Sequence, residues 1–291
     1  MRHRTTIGLL ALLLVIGACL SDDDNVGPVE SSNSSSTSSA TSTTAVPAEP
    51  TGVIAIGHSG LVGLGADPGR PGSAKEYAWA TGEAPEVESI YSRLVATDSR
   101  HEGHVTNAAV KGAPMDELVA QANRALDVRP NPALVIVMAV DNDLRCDGTD
   151  GENVAPVGES LAAALEVITL EAPEARIVIV GSQNRPATFV DALIGKGEPG
   201  LPDGTICSLF GEGGTADKEG IQTLTGIIET YEAEMERVCA TYEQCTSAIA
   251  ESAGAPMSAD SISHDLTHAS IQGNQELAAA VWPVVEEALG L

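Results

Sequence analysis

The sequence predicts an α/β fold in which a parallel sheet is covered by helices on both faces. Its strand segments are apolar throughout, as in the continuous run from Ala133 to Val140. Between them lie segments whose apolar residues recur at spacings of three and four, the stripe of a helix packed on one side. Strands that are apolar on both faces and alternate with helices belong to parallel sheets buried between two helical layers.

In chain order, Arg2, His3 and Arg4 precede an apolar stretch from Ile7 to Ile16, which is shorter than the roughly 20 residues needed to span a bilayer. Residues 1–18 therefore read as a signal peptide rather than as part of a fold. From Leu20 to Pro50 the chain is polar, and Ser31 to Thr44 is almost entirely Ser and Thr. Such a segment has too little apolar surface to offset its ordering entropy, so 19–50 reads as a disordered tether. Its root-mean-square reach is about 30 Å by random-coil scaling. The globular domain is expected over 51–291.

That domain opens on Val53 to Ile56, a short strand ended by Gly57 and followed by His58, Ser59 and Gly60. Ser59 thus falls just past the carboxyl end of a strand, where open α/β sheets bind ligands; taken alone it reads more readily as a helix cap. A helical stripe of Val87, Ile90, Tyr91 and Leu94 follows, then a weaker strand at His104–Asn107. Met115, Leu118, Val119, Ala122 and Leu126 form the second helix face, and Ala133–Val140 the strongest strand. Leu161, Leu165 and Ile168 mark the next helix, and Arg176–Val180 the next strand. The segment from Ser182 to Gly220 is rich in Gly and Pro and reads as one long loop of the kind that binds substrate or forms a lid. Ile221, Leu224, Ile228, Tyr231, Met235 and Val238 make a long amphipathic helix. A short strand near Thr246–Ile249 and a helix through Leu277, Val281, Val284 and Val285 complete the chain.

Composition excludes some partners. The chain carries 15 basic and 41 acidic side chains, a net charge of −26. Such a surface repels nucleic acid and anionic lipid headgroups. Four cysteines remain downstream of Cys19, namely Cys146, Cys207, Cys239 and Cys245. An even number in an exported chain favours two disulfides, with three possible connectivities. Their spacing suggests no zinc site. The run Asp141-Asn142-Asp143 superficially suggests a calcium loop. Counted from Asp143, however, it places Arg145 third and Val154 twelfth, where oxygen ligands are required. No metal or cofactor is expected.

Four segments align by chemistry: Gly57-His58-Ser59, Asn107 to Gly112, Val140-Asp141-Asn142-Asp143, and Asp265-Leu266-Thr267-His268. Together they resemble the four blocks of the SGNH hydrolases, or GDSL-like esterases and lipases, which supply Ser, Gly, Asn and His in that order with an Asp three residues before the His. The resemblance covers Thr51 to Leu291 and implies a flavodoxin-like three-layer α/β/α fold with a five-stranded parallel sheet. It also implies that Ser59 is the nucleophile, His268 the general base and acid, and Asp265 the group that orients the imidazole. The oxyanion donors it implies are the Ser59 and Gly112 backbone N–H groups and the Asn142 side-chain amide. His58, His101, His104 and His264 do not pair with this pattern.

One departure stands out: the family's usual Asp after the first Gly is His58 here, which changes the local charge and bears on how the oxyanion side is oriented. A rival reading is therefore a catalytically inactive cell-surface binding protein that keeps the fold. Leu61 stands where the G-x-S-x-G elbow of α/β-hydrolases needs Gly, which argues against that other fold.

The Ile16-Gly17-Ala18-Cys19 stretch resembles a bacterial lipobox, implying lipidation of Cys19 and anchoring to the outer face of a membrane; otherwise the chain is secreted. Cys146 lies just past Asn142 and Cys207 within the long loop, so the expected bridges are Cys146–Cys207 and Cys239–Cys245. The expected protein is a monomer acting on a small, short-chain or acetyl ester, or on an acylated glycan. Aromatic residues make up only 3% of the chain, which leaves little for stacking against long glycans.

Overall fold

Five strands form one all-parallel sheet in the order β2-β1-β3-β4-β5. They are β1 (Val53–Gly57), β2 (Val105–Asn107), β3 (Leu134–Met138), β4 (Arg176–Val180) and β5 (Cys245–Ser247). The computed structural model describes residues 49–198, 200 and 207–291, within a unit running from Pro47 to Leu291. The expected signal peptide, Cys19 and nearly all of the tether lie outside the described residues.

Alternation along each strand builds two cores. Ile54, Ile56, Val135, Val137, Ile177 and Ile179 face one side. There they meet α2 (Leu118–Val128), α3 (Asp150–Glu171) and α5 (Lys218–Cys239). Val53, Ala55, Leu134, Ile136, Met138, Val178 and Val180 face the other side. That face is covered by α1 (Ile90–Thr97), α7 (Ile271–Leu289) and the fully buried Trp79. The result is the expected three-layer α/β/α arrangement. The chain begins in β1, crosses to β2 on one side, then returns to β3 on the other. Strand order therefore reverses between β1 and β3, which opens a crevice at their carboxyl ends.

Several boundaries differ from expectation for local reasons. α1 starts at Ile90 because the Ser89 side chain accepts the Ser92 N–H as its cap; Val87 is buried but lies before the helix. β3 stops at Met138 although the apolar run continues, because Val140 adopts φ +101° and leaves the extended conformation. β5 ends at Ser247, and Ile249 opens the short helix α6 (Ile249–Ala253).

The largest difference lies between Ser182 and Gly220, where the sequence reads as loop. The structure places α4 (Pro186–Lys196) there, with Pro at its first turn and Gly197 closing it at φ +82°. The residues that resemble loop punctuation are in fact the helix's two ends. Phe189, Val190, Ala192 and Leu193 of α4 join Leu209 and Ile262 in a third apolar cluster.

The four cysteines pair as Cys146–Cys207 and Cys239–Cys245, with Cα–Cα distances of 5.5 and 5.3 Å.

Candidate active site

The carboxyl end of β1 dictates where Ser59 goes. Gly57 has φ +142°, and a Cβ there would lie 1.7 Å from the Met138 carbonyl oxygen on β3, so only glycine lets the chain leave the sheet at this point. Ser59 then opens a single 3₁₀ turn, Ser59–Leu61. Its cap is the residue before it: His58 Nδ1 accepts the Gly60 N–H at 3.0 Å. Ser59 is thus freed from the capping role that it could have filled, and its hydroxyl points elsewhere.

It points at His268. The His268 Nε2 to Ser59 Oγ distance is 2.9 Å, and His268 Nδ1 lies 2.9 Å from Asp265 Oδ2. Asp265 and His268 sit on a tight turn whose second residue, Leu266, takes φ +65°. That turn closes because Asp265 Oδ1 accepts the backbone N–H groups of Thr267 and His268, both at 3.0 Å. Ser263 Oγ donates to the same oxygen at 2.6 Å. Burial alone raises the Asp265 pKa, but these donors and His268 outweigh it and hold the carboxyl well below the usual carboxylate range. Asp265 is therefore a fixed anion, suited to keeping a proton on His268 Nδ1 and leaving Nε2 to accept from the serine.

Gly112 and Asn142 line the same pocket as Ser59 and His268. Gly112 has φ +77°, a backbone conformation that favours glycine. Asn142 does not cap α3, whose N-cap is Thr149; its Nδ2 donates to the Ala113 carbonyl at 3.1 Å. That bond uses one amide hydrogen and ties the Asn142 segment to the Gly112 loop. A planar amide has a second hydrogen to present.

The sequence reading set His58 apart from the pattern, and the structure corrects this. His58 is 3% exposed, and its Nε2 lies 3.0 Å from Asp141 Oδ2. Ser182 Oγ donates to Asp141 Oδ1 at 2.5 Å. Burial raises the Asp141 pKa, yet the His58 and Ser182 contacts bring it below the ordinary value. Behind Ser182 stands Glu232 of α5, which accepts the Ser182 N–H and pairs with both terminal nitrogens of Arg185, each contact 2.8–2.9 Å. Asn184 in turn donates to the Thr267 carbonyl at 2.8 Å. The loop after β4 thus braces both the Asn142 segment and the His268 turn.

Sequence reading missed this brace, although one signal was legible. Glu232 sits within the apolar stripe of Ile228, Tyr231 and Met235, where a buried acid demands a partner. Two further acids in and just after the rejected calcium loop are turned to backbone groups. Asp143 accepts the Met115 N–H, and Asp150 accepts those of Arg145 and Cys146.

The pocket beside Ser59 has a volume of about 370 Å³. Leu64, Leu144, Pro186, Phe189, Leu209 and Leu224 supply its apolar wall, and Gln183, Asn184 and Lys111 lie among its polar residues. Phe189 comes from the unexpected helix α4. Leu209 comes from the segment that the Cys146–Cys207 bridge ties beside the Asn142 loop.

Fold and site together define a three-layer α/β/α protein carrying a Ser–His–Asp constellation at its topological switch point. Solved structures share this architecture. The chain is similar to TesA at 18% identity and a TM-score of 0.54, spanning 82% of this chain and 99% of that one. It is also similar to the lipase Lip_vut3 from goat rumen metagenome (15% identity, TM-score 0.53, 82% and 97% covered). An extracellular lipase from Streptomyces rimosus gives 16% identity and a TM-score of 0.50, with 82% and 99% covered. At these identities the likeness shows the fold. No protein-family model matches the sequence, and no curated protein matches it.

Proposed function

We propose that the protein is a serine hydrolase of carboxyl esters working through an acyl-enzyme. The observation that carries this reading is the unbroken chain from Asp265 through His268 to Ser59, with both links at 2.9 Å, opening onto a mostly apolar pocket. In this mechanism His268 Nε2 takes the Ser59 proton as Oγ attacks the ester carbonyl, then returns it to the departing alcohol. The Ser59 and Gly112 N–H groups and the Asn142 amide receive the developing oxyanion. Water, activated by the same imidazole, then releases the acid.

The acyl group would occupy the wall formed by Leu64, Leu144, Phe189, Leu209 and Leu224, whose volume suits chains longer than acetyl. The shared architecture with two lipases and TesA supports an ester-bond hydrolase. His58 had suggested a decayed site, but its pairing with Asp141 makes it a built part of this one. The leader and tether support placing the domain outside the cytoplasm, either anchored through a lipid on Cys19 or secreted. Metabolic labelling with a lipid precursor, compared with Cys19→Ala, tests the anchor.

The test of the activity is hydrolysis of chromogenic esters of increasing acyl length by residues 47–291 beside its Ser59→Ala variant. Turnover lost in the variant is expected. Equal rates in the two proteins, or none in either over all chain lengths, would favour the inactive binding-protein reading.

A further inference from the structure

We propose that His58 and Asp141 form a clamp across the β1–β3 crevice that sets the spacing between the nucleophile and the oxyanion donors. The proposal rests on the ester-hydrolase reading and names positioning residues for it. Each clamp residue immediately precedes a group of the site: Ser59 follows His58, and Asn142 follows Asp141. The imidazole has both nitrogens engaged, with Gly60 N–H on Nδ1 at 3.0 Å and the Asp141 carboxylate on Nε2 at 3.0 Å. Because Nδ1 accepts a backbone N–H, it carries no proton. The ring's Nε2, the nitrogen left free of that contact, is the one that sits against Asp141. This contact seats the Ser59 turn against the segment after β3, with Nε2 3.0 Å from a carboxylate that Ser182 holds in place.

The surroundings are built to hold this contact. His58 N–H donates to the Met138 carbonyl at 3.2 Å, and Ser182 Oγ secures the second oxygen of Asp141. The ring is packed tightly, since a Cβ added to Gly60 would lie 3.0 Å from His58 Cε1. On the other side, Val140 holds φ +101°. A β-branched residue keeps that conformation only where its surroundings over-determine it. Asp141 follows directly, so the strained residue aims the acceptor. The charged and titratable groups around the pair are Asp143 on the same segment, Glu232 with Arg185 behind Ser182, His268 on the far side of Ser59, and Lys111 in the pocket that His58 and Asp141 also line. Asp141 also accepts the Gln183 backbone N–H, and none of these charged groups takes the place of His58 beside Oδ2.

The test is a charge-swap series on the folded unit, residues 47–291. His58→Asp keeps an acceptor for the Gly60 N–H but sets two carboxylates against each other. The expected result is a fall in kcat of about 10²-fold with KM little changed, as for a misplacement of about 1 Å. Activity should partly return as pH is lowered and one carboxyl takes a proton. Adding Asp141→Asn removes the like charge without restoring a contact, so His58→Asp/Asp141→Asn should recover at least tenfold, to the level of His58→Asn, and lose the acid shift. His58→Asn, which caps the turn but is too short to reach Asp141, guards against misfolding of the first variant and should lower kcat about tenfold. Thermal melts establish folding in each case. Wild-type kcat and pH profile in both His58→Asp and His58→Asn, or a double variant no better than His58→Asp, would overturn the clamp. The underlying reading is scored separately, by ester turnover and by fluorophosphonate labelling of Ser59 in the parent. Absence of both overturns that reading and the clamp with it.

Discussion

Gly65 has no contact with substrate chemistry in the sequence, yet its replacement by alanine should disable the site. A Cβ at this position would lie 2.4 Å from Asp265 Oδ2 and 2.8 Å from Ser263 Oγ. Oδ2 is the atom that holds His268 Nδ1 at 2.9 Å. Ordinary van der Waals contact begins near 3.4 Å, so the carboxylate oxygen must retreat by about 1 Å. Four further hydrogen bonds on Oδ1 resist that movement, so the motion falls on the Oδ2–His268 link. Misplacement of about 1 Å costs on the order of 10²-fold in rate, or about 2.7 kcal/mol of transition-state stabilisation. The backbone adds a separate cost, because Gly65 has φ +72°, worth about 1–2 kcal/mol of stability for a residue with a Cβ. In a domain of this size that lowers Tm by roughly 2–8 °C. Gly65→Ala should therefore fold, melt several degrees lower, and show kcat/KM for a chromogenic ester down about 10²-fold at a temperature well below its melt. A folded Gly65→Ala protein with parental kcat/KM would refute the reasoning. It would mean that the Asp265–His268 distance does not control the chemistry.

Other consequences are open to measurement. Asp143 is raised to about 6 from 3.8, mainly by burial. A carboxyl raised on folding costs stability as pH climbs through the interval between those values and keeps the full penalty above it. Asp143→Asn should consequently gain stability over the parent between pH 4 and pH 7, by at most about 3 kcal/mol, as read by urea titration at each pH. Of the two disulfides, Cys146–Cys207 closes a separation of 61 residues and Cys239–Cys245 one of 6. Chain-entropy estimates give about 4 and about 2 kcal/mol respectively. Replacing the first pair with serine should lower the urea midpoint roughly twice as much as replacing the second. Phe189 is 5% exposed and lines both the third apolar cluster and the pocket. Phe189→Ala should cost about 3 kcal/mol and shift the acyl-length profile toward longer chains.

Much of the architecture was legible because the sheet is buried on both faces. Ala133 to Val140 and Arg176 to Val180 cannot be read as anything but interior strands once helices flank them. The stripe from Ile221 to Val238 likewise marks α5. Helix α4 was not legible, since Pro186, Gly195 and Gly197 are punctuation in a loop and end signals in a helix. Only the packing of Phe189, Val190 and Leu193 onto Leu209 and Ile262 decides between the two.

The sequence by itself determined which side chains could do chemistry at the strand ends, because Ser59, Gly112, Asn142, Asp265 and His268 occur in order at points where strands or turns must stop. It also determined the surface charge and the burial pattern of the strands. The tertiary structure alone decided what lies between those groups. His268 is 209 residues from Ser59, and their 2.9 Å contact exists only because the turn leading into α7 is brought over the carboxyl end of β1. His58 and Asp141 are each unremarkable in the linear chain. They become partners because parallel pairing sets Gly57 beside Met138, and because Val140, just beyond, takes a backbone angle that no propensity favours. Pairing across strands and strain at a strand end are properties of long-range packing, and local sequence carries neither.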